Sequence, residues 1–302
     1  MTVADPRIDL PPGDSTRGPR GGRNAVAAIV ILLVVAVITY AIAGFTFATG
    51  RIDRARTAYN AVVAHQNAIT DTVNLFNTKF TTTSPNPAAT ASALAADRSL
   101  LDQVVSESLA AEITSTSDDA SLARAQASLT DSSWLTVLNR SSLDNYSGKI
   151  GHERRALGDS KILAADYVRL AIFYQSFFDA LIVFDVVGSK IQASDFAGAV
   201  GDVATLKTDL GKALLASNAP GLPAEVRQFI IDFQTFATDE GDLLAAVNSS
   251  DVAAGQTLSA KVTADVTKLD SYDFTKIGNE IESYYKPVID DYNSEISKAN
   301  SM

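Results

Sequence analysis

The chain has 302 residues, a formal charge of −10 and no cysteine, which excludes disulfides, thiolate metal sites and a cysteine nucleophile. Beyond Arg51 it carries 20 basic and 32 acidic side chains, a formal charge of −12, and such a surface opposes binding to nucleic acid. Residues 51–302 are long enough to bury a substantial core, as one elongated acidic domain or as two sub-regions, 51–159 and 160–302.

Residues 1–23 hold Pro6, Pro11, Pro12 and Pro19 together with four glycines, a composition that predicts a disordered tail. The next 27 residues, Asn24 to Gly50, have no charged side chain, and eleven of those from Val26 to Ile42 are Val, Ile or Leu. At about 1.5 Å per residue this segment exceeds the roughly 30 Å hydrocarbon core, so residues 24–50 read as a transmembrane helix partnered by the lipid bilayer. The competing reading is a cleaved signal peptide, with Arg17, Arg20 and Arg23 before it and Ala41-Ile42-Ala43 as the cleavage pattern. Against cleavage, the apolar stretch outruns a signal core before Ala41, and Phe45 and Phe47 extend it. Arg7, Arg17, Arg20 and Arg23 precede the segment and Arg51, Arg54 and Arg56 follow it, a bias of one charge toward a cytoplasmic N-terminus and an extracytoplasmic C-terminal domain.

Ile52, Ala55, Tyr59, Val62, Gln66, Ile69, Val73, Phe76 and Phe80 alternate spacings of three and four, which predicts a helical stalk. Ala55 and Tyr59 are poor coiled-coil seam residues, so the pattern favours ordinary bundle core over a dimeric coiled coil. Thr81 to Pro87 is a turn, and a helix from about Ala88 carries Leu94, Leu101, Val104, Val105 and Ile113. Ser115-Thr116-Ser117-Asp118-Asp119 is expected to stop it. From Ala120 to Asp159 the spacing predicts a broken helix, with Leu122, Leu129, Trp134, Leu138, Leu143 and Ile150 among serines and with Gly148, Gly151 and Gly158 lowering helix propensity.

Tyr167 to Val187 has the length of a second membrane span. Arg169, Asp179 and Asp185 would each cost about 2.5 to 3.5 kcal/mol near a bilayer centre, so a central core helix is expected instead. Asp166, Arg169, Ser176 and Asp179 share one flank of it. Helices are predicted after Ser194-Asp195, after Pro220-Gly221-Leu222-Pro223 and after Ser250-Asp251. The last helix has a seam of Phe274, Ile277, Ile281, Tyr284, Val288, Tyr292 and Ile296, and Pro287 is expected to kink or divide it near Tyr285. Ser194-Asp195 and Ser250-Asp251 lie 56 residues apart, and Phe173 matches Phe229 and Phe177 matches Phe233 at that offset. This fits a duplicated helical hairpin, although two amphipathic hairpins also match by pattern alone. With no hairpin turn between alternating runs, the fold class is all-α: one N-terminal membrane helix followed by an elongated antiparallel helical bundle.

No zinc-protease helix, phosphate-binding loop, nucleophile elbow or EF-hand loop occurs, so no catalytic, cofactor or metal residue is assigned. The candidate binding residues are Asp185, His152, Arg154, Arg155, Tyr284 and Tyr285. Asp185 is a carboxylate among Phe184, Val186 and Val187, either a functional acid or one paired near a helix end. His152-Glu153-Arg154-Arg155 is the one basic cluster of an acidic domain, suited to a phosphate, to a partner carboxylate or to plain solvation. The tyrosines suit a core edge or an interface, with core edge the default; Tyr284 lies on the last helix's seam and Tyr285 one position off it, so Tyr285 is the residue whose exposure is in question. The acidic pairs around Asp239 and Asp290 have no spacing that demands a cation.

Three functions compete. The leading expectation is a non-enzymatic scaffold or protein-binding module at the cell envelope, with no nucleic-acid partner and an oligomeric state the sequence leaves open. The second is a small-molecule-sensing bundle acting through a membrane partner. The third is an enzyme using carboxylates alone, for which Asp179 and Asp185, about 240° apart on an ideal helix, are poorly placed.

Overall fold

A computed structural model describes residues 52–62, His65, 91–130 and 140–302. The tail, the uncharged segment 24–50 expected to span a bilayer, the expected stalk seam from Gln66 to Phe80, and Trp134 and Leu138 lie outside the described residues. The described chain is all-α, with seven helices and no strand among the described residues. These are α1 (52–62), α2 (Ala91–Thr130), α3 (Arg140–Gln192), α4 (Phe196–Ala216), α5 (Ala224–Asn248), α6 (Val252–Asp270) and α7 (Phe274–Ser301).

The 53-residue α3 is the axis of the molecule, about 80 Å long at the α-helical rise. It packs on α2, α4 and α7. The contacts of Ala91 with Asp185 and of Gln126 with Ser147 set α2 antiparallel to α3 along its whole length. Two main cores share this pair of helices. The distal core joins α2 and the second half of α3 to α4, α5 and the first half of α7, around Tyr167, Phe173, Leu206, Phe229, Phe233 and Ile281. In the basal core, Ile52, Ala55, Tyr59 and Val62 of α1 meet Leu122, Leu129, Leu143, Ile150, Tyr292 and Ile296. The described part of the stalk seam is therefore bundle core, as its weak coiled-coil residues suggest.

Ser115 to Asp119 do not stop α2, which continues to Thr130. Serine, threonine and aspartate leave helices when their side chains compete for backbone groups, and here those side chains are occupied. Thr116 donates back to the Glu112 carbonyl, Ser115 meets Ser160, and Asp118 and Asp119 accept bonds from other helices. Nor is the region from Arg140 to Asp159 broken, for Gly148, Gly151 and Gly158 all lie inside α3. Gly151 has a specific use, since a Cβ there would stand 3.2 Å from the Gln126 amide that bonds Ser147. Leu94, Leu101 and Val104 are buried as expected, whereas Ile113 is 71% exposed.

By length and composition α3 carries a window apolar enough to cross a membrane. It is also the main contributor to the distal core, through Leu163, Ala164, Tyr167, Leu170, Ala171 and Phe173 among others. Arg169 is exposed, and Asp166, Ser176 and Asp179 are partly exposed, so the polar flank does lie toward solvent.

The turns before α4 and α6 are built alike. Ser194 and Ser250 have left-handed φ values of 60° and 58°. Asp195 N–H donates to the Lys190 carbonyl and Ser194 N–H to Ile191, and Asp251 and Ser250 repeat both bonds onto Ala246 and Val247. Each is a Schellman end in which the next residue caps the following helix: Asp195 accepts the Gly198 N–H and Asp251 the Ala254 N–H. Every one of these equivalences falls at the 56-residue offset. The two hairpins differ in burial. α4 is held between α3 and α5, while α6 rests on α5 and buries no residue fully.

In α7 the seam shifts. Tyr285 is 1% exposed and Tyr284 51%, reversing the expected roles, and Ile289 is more buried than Val288. The buried positions run Ile277, Ile281, Tyr285 and Ile289 in steps of four, then Tyr292, Ile296 and Ala299. Contact with the Pro220 loop sets this register: Tyr285 donates to the Pro220 carbonyl at 2.7 Å. Gly221, at φ 79°, admits both tyrosine rings where a Cβ would collide with them. Pro287 does not divide the helix, which stays continuous from Phe274 to Ser301.

Candidate functional site

A belt of polar side chains runs alongside the basal core toward its junction with the distal core, and both histidines of the chain belong to it. His65, after α1, places Nδ1 3.0 Å from Asp118 of α2. Arg154 and Lys161 of α3 both donate to Asp119. His152 and Arg155 of α3 and Lys298 of α7 surround Glu295, which is 5% exposed. Burial alone would raise the Glu295 carboxyl, but bonds from Lys298, His152 and Arg155 hold it down at about 2. Asp119 is lowered too, since Arg154 and Lys161 outweigh its burial.

The candidate basic cluster is thus brought together with carboxylates of its own chain. His152 and Arg155 meet Glu295, 140 residues or more away in sequence, and Arg154 also bonds the Gln126 amide. Cations engaged in this way are not a vacant anion cradle. Asp185 stands apart from the belt, at the far end of the α2–α3 pair. Its Oδ2 accepts the Ala91 N–H at 2.9 Å, so it caps the described start of α2 from a neighbouring helix. That is the paired alternative drawn from the sequence. Asp179 also engages α2, through Arg98 at 3.0 Å, because the long guanidinium stem reaches across to its flank. The two aspartates therefore serve separate partners. Tyr284 and Tyr285 lie together over Gly221, their ring centroids 5.0 Å apart, away from the belt.

Asp159 differs from every other belt acid. Burial first, and then the neighbouring carboxylates of Asp291 and Glu295, push it up to about 6. Its Oδ2 has no hydrogen-bond partner among the described residues. Tyr292, fully inside the basal core, likewise has an unbonded hydroxyl among the described residues, and burial together with Glu153 and Asp159 raises it well above the usual phenol range. No group of three His, Asp or Glu side chains among the described residues is arranged to hold a metal. What the belt can do chemically is gain and lose protons and, in doing so, alter how four helices hold together.

Asp118, Asp119, Asp159 and Glu295 were missed from the sequence. Their signals were present: a five-residue polar run inside an apolar helix pattern, and a glutamate between the seam residues Tyr292 and Ile296. No protein-family model, curated protein or solved structure matches the chain.

Proposed function

We infer that the protein is a single-pass membrane protein whose helical bundle stands outside the cytoplasm as a non-enzymatic scaffold or protein-binding module at the cell envelope. The observation that carries this reading is the run of 27 uncharged residues from Asn24 to Gly50, followed at once by a helix whose first turns are core. The basal end gathers the chain's other crossings. The start of α1, the end of α2, the start of α3 and the end of α7 share one core, and Met302 lies against Gly148. A bundle entered from its basal end projects the acidic distal half, with α4 to α6, away from the bilayer.

The test is protease accessibility in intact cells with a tag after Met302 and separate detection of residues 1–23. Digestion of the C-terminal domain with the N-terminal segment retained is the expected result. A protected C-terminal domain would invert the topology and defeat the reading. The polar belt favours a second reading, a sensing bundle in which occupancy or charge at the belt alters the packing of α1 and is passed to a membrane partner. That reading expects belt substitutions to change the crosslinking of segment 24–50 to neighbouring proteins while leaving expression and topology unaltered.

A further inference from the structure

The register of α3 against α7 is fixed by two contacts at different heights. Arg155 Nε bonds Glu295, and the rings of Tyr167 and Tyr285 lie 5.1 Å apart. Twelve residues forward on α3 correspond to ten backward on α7, so the helices are antiparallel and Asp159 stands level with Asp291 and Tyr292. Arg155 and Asp159 are one turn apart on α3, as Glu295 and Asp291 are on α7. The lower rung pairs a cation with an anion. The upper rung sets one anion against another.

We propose that this upper rung is a proton-operated latch on the C-terminal helix: with a proton on Asp159, α7 seats against α3, and without it Asp159 and Asp291 repel across the joint. The charges and hydroxyl that act on the partly buried Asp159 from α7 are those of Asp291, on the exposed flank of that helix, Glu295 and Tyr292, with Arg155 and Glu153 nearby on α3. Arg155 is engaged by Glu295 and so is poorly placed to neutralise Asp159. From α2, the neighbouring level presents Ser115 to Ser160, while Asp118 and Asp119 are paired with His65 of the stalk and with Arg154 and Lys161. No cation from α2 or α4 is bonded to Asp159. The upward shift of its carboxyl agrees with this arrangement.

The sign follows from linkage. A carboxyl whose folded affinity for the proton exceeds its unfolded one stabilises the fold on the acid side, and that contribution is lost as pH rises from about 4 to about 6. The consequence reaches α1, because Tyr292, Ile296 and Ala299 of α7 belong to the same basal core as Ile52, Ala55 and Tyr59. Acid therefore tightens the C-terminal helix on the stalk, and neutral pH loosens it.

The test compares thermal unfolding of the full chain in lipid nanodiscs with that of Asp159→Asn, which carries the neutral form at every pH. The substitution is expected to raise Tm by about 2–4 °C at pH 7.5 and by about a third as much at pH 4.5. An equal shift at the two pH values, or a lower Tm at pH 7.5, overturns the latch. A carboxyl-carbon NMR titration of the unsubstituted chain decides the matter if the variant does not fold. A midpoint near 6 that falls in Asp291→Asn supports the latch, and a midpoint near 4 refutes it.

Discussion

The distal and basal halves of the bundle both enclose carboxylates, but on different terms. In the distal half Asp232 accepts from Lys268, Tyr272 and Gln228, at 2.8, 2.6 and 2.9 Å. Burial opposes its charge, yet those three donors keep its carboxyl below the usual range, while burial and the same contact push the Tyr272 hydroxyl up to about 12. In the basal half Glu295 is served as fully, but Asp159, one turn away across the joint, receives no such donors. A buried carboxylate with enough donors is a fixed structural element at physiological pH. One beside other carboxylates holds a proton the solvent can remove. Stability and responsiveness are thus divided between neighbouring turns of the same two helices.

The largest effect should come from the aromatic distal core. Phe233 packs edge to face or tilted on Phe184, Phe229 and Phe236, and Phe233→Ala is expected to cost about 3–5 kcal/mol in urea unfolding. Because α2 and α3 run through both cores, the loss should appear as one shifted transition. Two separate transitions would mean that the halves are independent.

Next is Glu295→Gln, which removes the anion from three donors and should cost about 3 kcal/mol at pH 7. Its native carboxyl is held at about 2, so its stabilisation is present above about 4.5 and lost as pH falls through about 2. Acid titration of stability should therefore lose part of its slope over that window in the variant. An unchanged acid limb would remove Glu295 from its assigned place in the belt.

Asp232→Asn should be milder, about 1–2 kcal/mol, because Lys268 is largely exposed and can turn to water. The smallest effects sharpen the comparison of the two hairpins. Asp195→Ala and Asp251→Ala each remove one N-cap, worth about 1 kcal/mol. The first should be read in global stability, since α4 lies between α3 and α5. The second should appear chiefly as faster amide exchange within α6, which rests on α5. Equal global losses would imply that α6 is bound into the fold as tightly as α4.

Much of the architecture was legible from residue order. The Asp195 and Asp251 caps, the Pro220–Pro223 turn and the three-and-four spacing through α4 and α5 are local signals, and the helices begin and end where those signals predict. Asp185 was legible as one of two alternatives, because a carboxylate in an apolar helix needs a partner, although its partner lies 94 residues away. The errors have a common origin. Ser115 to Asp119 look like a helix stop until Ser160, His65, Arg154 and Lys161 occupy their side chains, and all of these lie 35 residues or more away in sequence.

By itself the sequence determined an all-helical domain, its acidic surface, the absence of thiol chemistry and an uncharged segment long enough for a bilayer, since each follows from composition or short-range periodicity. Only the tertiary structure decided that Tyr285 faces inward, because its hydroxyl seeks the Pro220 carbonyl and Gly221 leaves room for the ring. It also decided that the basic cluster is spent on Glu295 and Asp119, and that Asp159 feels the charges of Asp291 and Glu295. Charge interactions depend on distance through space, and distance along the chain does not report it.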